Sequence, residues 1–306
     1  MLEIYYKNIK DKQLEKLPEF KVGAWINVYS PSKKELSVLE KVFSLDKSLL
    51  LDALDPFEVP RIEREGDVIY FFSQVPQKTT QGLFTLPLLI AIGEDFVLTF
   101  SSEKINLLER FKGKQENLNT TQRSKFFVQL FSAIDSEYVN LVNAINKQVR
   151  MSGVSVNRIN NKDIVKFFDF EKNLNDYLSV LVPTNAMLNK ILSGNQLKLY
   201  EEDKDLVEDL LISNSQLIEV SRSNLKNIVN IRDVYSTIMS QDLNKVIKIL
   251  TALTIILTVP TTIFSLYGMN VSLPLASSPL AFWMVILLSL GMMFLFFIIF
   301  IKNRWL

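Results

Sequence analysis

Apolar residues crowd the end of this chain, after Lys248. From Ile249 to Leu266 there is no charged residue, and Ala281 to Ile301 is uncharged and almost wholly apolar. At about 1.5 Å per helical residue, the first stretch barely crosses a hydrocarbon core roughly 30 Å thick, and the second does so comfortably. Buried core helices of a soluble protein are the other option, and the length and end position of the second stretch speak against them. Upstream, residues 1–115 alternate as a mixed α/β domain. Leu2–Tyr6, Gly23–Tyr29, Asp67–Val75, Gly82–Ile92 and Asp95–Ser101 are rich in aromatic and branched residues and read as strands. Ser32 and Glu35 form a capping box that opens a helix, Asp46–Leu54 reads as a second helix, and Ser102 is placed to cap a third. After Thr120 the pattern turns helical, over 121–151, over 160–192 and then from near Gln196. That last helix meets no strong breaker before Pro260. If continuous through the first apolar stretch it spans about 70 residues, or about 100 Å. A break within Ser213–Ser223, rich in Ser and Asn, is the alternative.

These patterns divide the chain into an α/β domain (1–115), a helical bundle and stalk (120–248), a first span (249–267), a short connection (268–280), a second span (281–301) and a basic tail (302–306). Lys245 and Lys248 precede the first span, Lys302 and Arg304 follow the second, and Val271 to Leu280 carries no charge. The positive-inside rule therefore puts both termini and the large domain in the cytoplasm. Trp283 and Trp305 sit near opposite ends of the second span, where interfacial indoles belong. In the first span, steps of three and four join Asn244, Ile247, Thr251, Thr254, Thr258, Thr261 and Ser265 into one largely polar stripe. Threonine hydroxyls often bond back to helix carbonyls or hold helices together. A stripe this regular also suits a face turned to water or to copies of itself. Two helices cannot enclose a channel, so a pore lined by this face needs several chains.

Composition narrows the chemistry. The 306 residues include neither Cys nor His and carry a net charge of +1. Disulfides, thiolate or imidazole zinc sites, Ser-His-Asp and Cys-His catalysis and a basic nucleic-acid footprint are all excluded. No G-x-x-x-x-G-K-[ST] run points to a nucleotide-driven pump, and the N-terminus has no signal-peptide core. No acid, base or nucleophile set converges, so an enzyme is not expected.

Tyr267-Gly268-Met269-Asn270 follows the first span on its outer side. Behind a long helix, and before the last of two C-terminal spans, this motif resembles the CorA family of magnesium and cobalt transport proteins, whose signature is Gly-Met-Asn. Trp25-Ile26-Asn27, Leu50-Leu51-Asp52-Ala53-Leu54 with Pro60-Arg61-Ile62-Glu63, Arg232-Asp233-Val234-Tyr235, Asn244-Lys245-Val246 and Lys302-Asn303-Arg304-Trp305-Leu306 are similar to other family segments. The resemblance implies a funnel-shaped homopentamer in the cell membrane, its first span lining a pore for hydrated Mg²⁺, Co²⁺ and Ni²⁺, with no bound cofactor. It also implies that intracellular Mg²⁺ is sensed between neighbouring subunits, at positions matched here by Asp52 and Asp209. Asp209 alternatively belongs to a solvated acidic face with Glu201, Glu202, Asp203, Asp205 and Glu208.

The motif also has a physical rationale. Mg²⁺ gives up water reluctantly, and a ring of Asn270 carboxamides could accept hydrogen bonds from its hydration shell without adding charge that traps it. Gly268 would let the backbone leave helical geometry, and Met269 more naturally packs than binds a hard cation. Without the family likeness, a plain helix-end turn is the simpler reading. Ile247 and Leu250 near the inner end suit a hydrophobic constriction. Lys245, Lys248, Lys302 and Arg304 fit a basic ring at the inner mouth as well as simple anchoring. Val271-Ser272-Leu273-Pro274-Leu275-Ala276-Ser277-Ser278 lacks the acidic residues some family members carry after the motif, which weakens cation concentration there. A zinc transporter of the same superfamily and a non-conducting membrane scaffold are the rival expectations.

Overall fold

The computed structural model of the chain describes residues 1–79, 82–113, 118–154, 159–194, 197, 199–271 and 279–305. The chain falls into two compact units, Met1–Asn230 and Ile231–Leu306.

The first unit is built on seven strands: β1 (Leu2–Tyr6), β2 (Glu15–Leu17), β3 (Ala24–Tyr29), β4 (Arg61–Glu65), β5 (Val68–Thr79), β6 (Gly82–Ile92) and β7 (Phe96–Ser101). They form one sheet in the order β2-β1-β3-β7-β6-β5-β4, with β3 and β7 parallel and all other pairs antiparallel. The sequence pattern missed β2 and β4. Both lie at sheet edges and read Glu-Lys-Leu and Arg-Ile-Glu-Arg-Glu, charged stretches that suit an edge strand and hide the strand signal.

Both sheet faces are covered, which is why the central strands are apolar almost throughout. On one face α1 (Lys33–Phe43) and α2 (Lys47–Asp52) bury Leu39, Phe43, Leu49 and Leu50 against Ile26, Val28, Phe72 and Phe100. The Ser32–Glu35 capping box opens α1, and Asp46 caps α2 through the Ser48 and Leu49 amides. On the other face lie α3 (Asn106–Gly113) and α4 (Arg123–Val154). There Trp25 packs on Phe111 and Phe126, and Phe71 on Phe127. The Trp25 indole N–H donates to Thr99 Oγ1 at 2.8 Å, and that hydroxyl donates to Asn27 Oδ1 at 2.9 Å. The Trp-Ile-Asn segment is thus a strand whose alternate residues share one buried relay. Ser102 does not cap α3: the helix starts at Asn106, whose amide is met by Gln77 Oε1 of β5.

The helical layer continues with α5 (Asn161–Leu192), opened by an Asn160–Asp163 capping box, and α6 (Glu201–Tyr267), one uninterrupted helix of 67 residues. The stretch Ser213–Ser223 does not break it. Asn214, Ser221 and Asn224 are buried at heptad spacing in line with Val207, Leu210, Leu217 and Ile228, and the Ser213 hydroxyl donates to Asp135 at 2.6 Å. Asn214 and Ser221 belong to the helix's inner seam and Ser215 and Ser223 to its exposed face, so none of this stretch is a loop. Burial raises the Asp135 pKa, only partly offset by that hydrogen bond. Pro260 lies inside α6, and so the Ile256 carbonyl loses its usual amide partner. Asp203, expected on the solvated acidic face, is 3% exposed, and burial raises its pKa.

Glu3 provides a pH handle on this unit. Burial alone would raise its pKa, but Lys16 (2.8 Å), Lys112 (3.0 Å) and the Tyr5 hydroxyl (2.9 Å) hold it at about 2 instead of 4.5. A depressed carboxylate pKa contributes stability above the unfolded value, and that stability is lost as pH falls from 4.5 towards about 2. The contribution is on the order of 2 kcal/mol once screening by water is allowed for. Wild type should therefore lose melting temperature across this acid window more steeply than Glu3→Gln. Parallel melting curves from circular dichroism would refute the assignment.

Candidate functional site

The second unit contains the end of α6 and α7 (Ala281–Lys302). Ala252 and Ile256 of α6 are buried against Phe300, with Ile255, Met293, Phe296 and Trp305 around them. Tyr267 lines a groove with Ala281, Met284 and Val285 at the opposite end of the pair, so these two segments run antiparallel. The end of α7 closes tightly. Arg304 takes the left-handed conformation (φ 56°), Trp305 N–H donates to Phe300 O at 2.9 Å, and the Trp305 ring stacks on Phe300 at 5.5 Å. This is a Schellman closure with its accompanying apolar contact. It places Lys302 and Arg304 at the same end of the pair as Lys248, and Gly268-Met269-Asn270 at the other.

With α7 packed on the Ala252–Ile256 side, the threonine stripe points away from it. At about 100° per residue, Thr251, Thr254, Thr258, Thr261 and Ser265 centre roughly 140° around the helix from that contact. All five are exposed in the single chain, as are Asn244, Ile247 and Leu250. The hydroxyls of Thr254, Thr258 and Thr261 donate to the carbonyls of Leu250, Thr254 and Leu257 at 2.8, 2.7 and 2.9 Å. Bonding back to the helix is therefore what these donors do, as the plainer reading of the stripe expected. The consequence is chemical: a hydroxyl with its proton committed presents only lone pairs outward.

A second stripe escaped the sequence reading. Met239, Leu243, Val246, Leu250, Leu253, Leu257 and Phe264 follow heptad steps and are all exposed. Its signal was present in the spacing, but the neighbouring lysines and Asp242 masked it upstream of the apolar stretch.

Past Tyr267 the helix ends without a left-handed residue. The Gly268 amide closes on Phe264 O (2.9 Å) and Ser265 O (3.2 Å), and Gly268 is not among the glycines with positive φ. A Cβ at this position would lie 3.3 Å from the Phe264 carbonyl, a tight contact with the preceding turn. Met269 and Asn270 are exposed. Residues 272–278 of the uncharged connection lie outside the described residues.

Asp52 is the last residue of α2, and exposed Asp209 lies on α6. Among the described residues no group of three or more acidic side chains is arranged to hold a metal ion within one chain. Asp52 has a partner that sequence reasoning overlooked: Arg61 Nη2 donates to Asp52 Oδ2 at 2.8 Å. The same guanidinium pairs with Glu58 and Glu63 and lies 4.0 Å over the Phe72 ring. Arg61 and Glu63 are two apart on β4 and share a face.

An α/β sheet domain and two helices long and apolar enough to cross a membrane, one of them reaching back into that domain, define a class of membrane protein with a large soluble part. The family described as CorA-like Mg²⁺ transporter protein matches residues 21–302, and the chain belongs to this CorA family. It is 27% identical over 293 residues to the cobalt/magnesium transport protein CorA of Methanocaldococcus jannaschii, covering 92% of this chain and 90% of that protein. Over 147 residues it is 28% identical to the magnesium transport protein CorA of Campylobacter jejuni, covering 46% of this chain and 44% of that one. The complete structure of the CorA magnesium transporter from M. jannaschii shares its fold, with a TM-score of 0.86 and 24% identity over 100% of this chain and 99% of that one.

Proposed function

We propose that several copies of this chain surround an ion pathway that carries divalent cations, Mg²⁺ foremost with Co²⁺ and Ni²⁺, across a membrane in hydrated form. One observation carries the reading: the threonine stripe faces away from α7, and at its centre the Thr254, Thr258 and Thr261 hydroxyls turn their lone pairs outward. Water bound to a cation points its hydrogens outward, so the acceptors that these three hydroxyls present match the shell and leave the ion's own ligands in place. The apolar stripe supplies the self-association this requires. It continues from Leu257 back to Met239, past the charged residues Asp242, Lys245 and Lys248. Lipid tails do not cover a seam at that level, whereas another copy of the helix does. The family resemblance implies five copies.

In this reading the Asn270 carboxamides collect the hydrated ion at one end. Ile247 and Leu250 form the narrow apolar section, and Lys245, Lys248, Lys302 and Arg304 ring the cytoplasmic mouth. Influx follows the membrane potential, about 4.6 kcal/mol for a divalent ion across about 100 mV. With no His or Cys in the chain, nothing along the pathway is built to hold a dehydrated Zn²⁺, which supports Mg²⁺ as the cargo. Mg²⁺ between Asp52 and Asp209 of neighbouring subunits relieves their mutual repulsion and holds the pathway shut.

The absence of native cysteine makes the test direct. Thr258→Cys and Thr261→Cys proteins in liposomes should react with a water-soluble cationic methanethiosulfonate and lose Mg²⁺ flux by about an order of magnitude. Ile255→Cys, facing α7, should not react. Unreactive stripe positions, or flux indifferent to their modification, would remove the central pathway.

A further inference from the structure

We infer that Arg61 is a built-in competitor for the regulatory cation at Asp52 and sets the Mg²⁺ concentration at which the pathway closes. The inference rests on the proposed role of Asp52 as a regulatory ligand. Asp52 ends α2 and Arg61 opens β4, so a short connection brings a fixed positive charge to the carboxylate that the metal must occupy. Nη2 holds Asp52 at 2.8 Å, whereas Nη1 holds Glu58 and Nε holds Glu63. A carboxylate oxygen that accepts this charge-assisted bond is already neutralised, and a divalent ion gains less by approaching it.

The geometry also makes release easy. If Asp52 turns to a metal, the guanidinium keeps two carboxylates and its place 4.0 Å over the Phe72 ring. It is never stranded without a counter-charge, the outcome that makes breaking an ion pair expensive. The Asp52 side chain is 45% exposed and Arg61 31%, so both the ion and water reach the pair. A pair screened to this degree is weak, and weak pairing is what a competitor needs in order to be displaced. When a site is usable only while its intramolecular partner is away, the apparent affinity falls by the fraction of time it is free. For a partly exposed ion pair that factor is about two- to sixfold.

The test uses the full chain in lipid patches, with Mg²⁺ titrated on the side of the soluble domain. Wild type, Arg61→Gln, Arg61→Lys and Asp52→Asn are compared after a melting curve establishes that each folds. Arg61→Gln should close at about two- to sixfold lower Mg²⁺ than wild type. Arg61→Lys should shift the same way by less, because a single ammonium cannot serve three carboxylates as the planar fork does. It carries the test if the glutamine variant does not assemble. Asp52→Asn should blunt closure. If Asp52→Asn closes like wild type, the regulatory reading itself is wrong. If Asp52→Asn is blunted while the Arg61 variants keep the wild-type threshold or need more Mg²⁺, the competitor role is overturned and the reading of Asp52 survives.

Discussion

Asn270→Ala should reduce Mg²⁺ uptake by reconstituted protein at least about a hundredfold, to the level of protein-free liposomes. The span and the connection that follows it carry no charge, so nothing but neutral dipoles greets an ion at that end. Each hydrogen bond to a charged partner contributes about 1.5–3 kcal/mol. An assembly of identical chains loses that contribution once per copy, and the hydrated ion gains nothing in its place. Asn270→Ala lies on an exposed residue beyond the helix end and leaves the packing of Ala252, Ile256 and Phe300 untouched. Unchanged melting with lost flux is therefore the expected pair of results. Dye-loaded liposomes give the flux directly, and uptake at the wild-type rate would leave a membrane-anchored scaffold as the better description.

The largest effect on folding should come from Trp25→Ala. Trp25 is fully buried, packs on Tyr5, Phe111 and Phe126, and anchors the Thr99–Asn27 relay. Removing such a side chain costs about 3–5 kcal/mol, a large share of the about 5–15 kcal/mol that holds a typical domain folded. Trp25→Phe keeps most of the packing but deprives the Thr99 hydroxyl oxygen of its donor, which costs about 1–3 kcal/mol. Far-ultraviolet circular dichroism of the full chain in detergent should show wild type, phenylalanine and alanine melting in that descending order. An alanine variant melting within about a degree of wild type would mean that the indole is not a structural pivot.

Elements whose signal is local were legible in the sequence. The Ser32–Glu35 box, the start of a second helix at Asp46, the central strands and the long proline-poor helices all depend on spacing along the chain. Family likeness and spacing together singled out Gly268-Met269-Asn270 and the threonine stripe. Three features were hidden because they depend on pairing and packing that the composition of the chain does not show. β2 and β4 pair at sheet edges despite their charges, since hydrogen bonds to a neighbouring strand, not apolar content, hold them. Asn214, Ser221 and Asn224 resemble a loop by composition and become a buried seam only when α6 packs. The Arg61–Asp52 pair forms because α2 and β4 meet in space, and a list of carboxylates gives no sign of which already has a cation.

The back-bonded hydroxyls of Thr254, Thr258 and Thr261 bear on which solutes are refused as well as which are admitted. Chloride or phosphate needs protons pointing at it, and Thr254, Thr258 and Thr261 have turned theirs inward. Along that part of the proposed pathway, discrimination against anions would then come from hydrogen-bond polarity, with no acidic residue anywhere along the span.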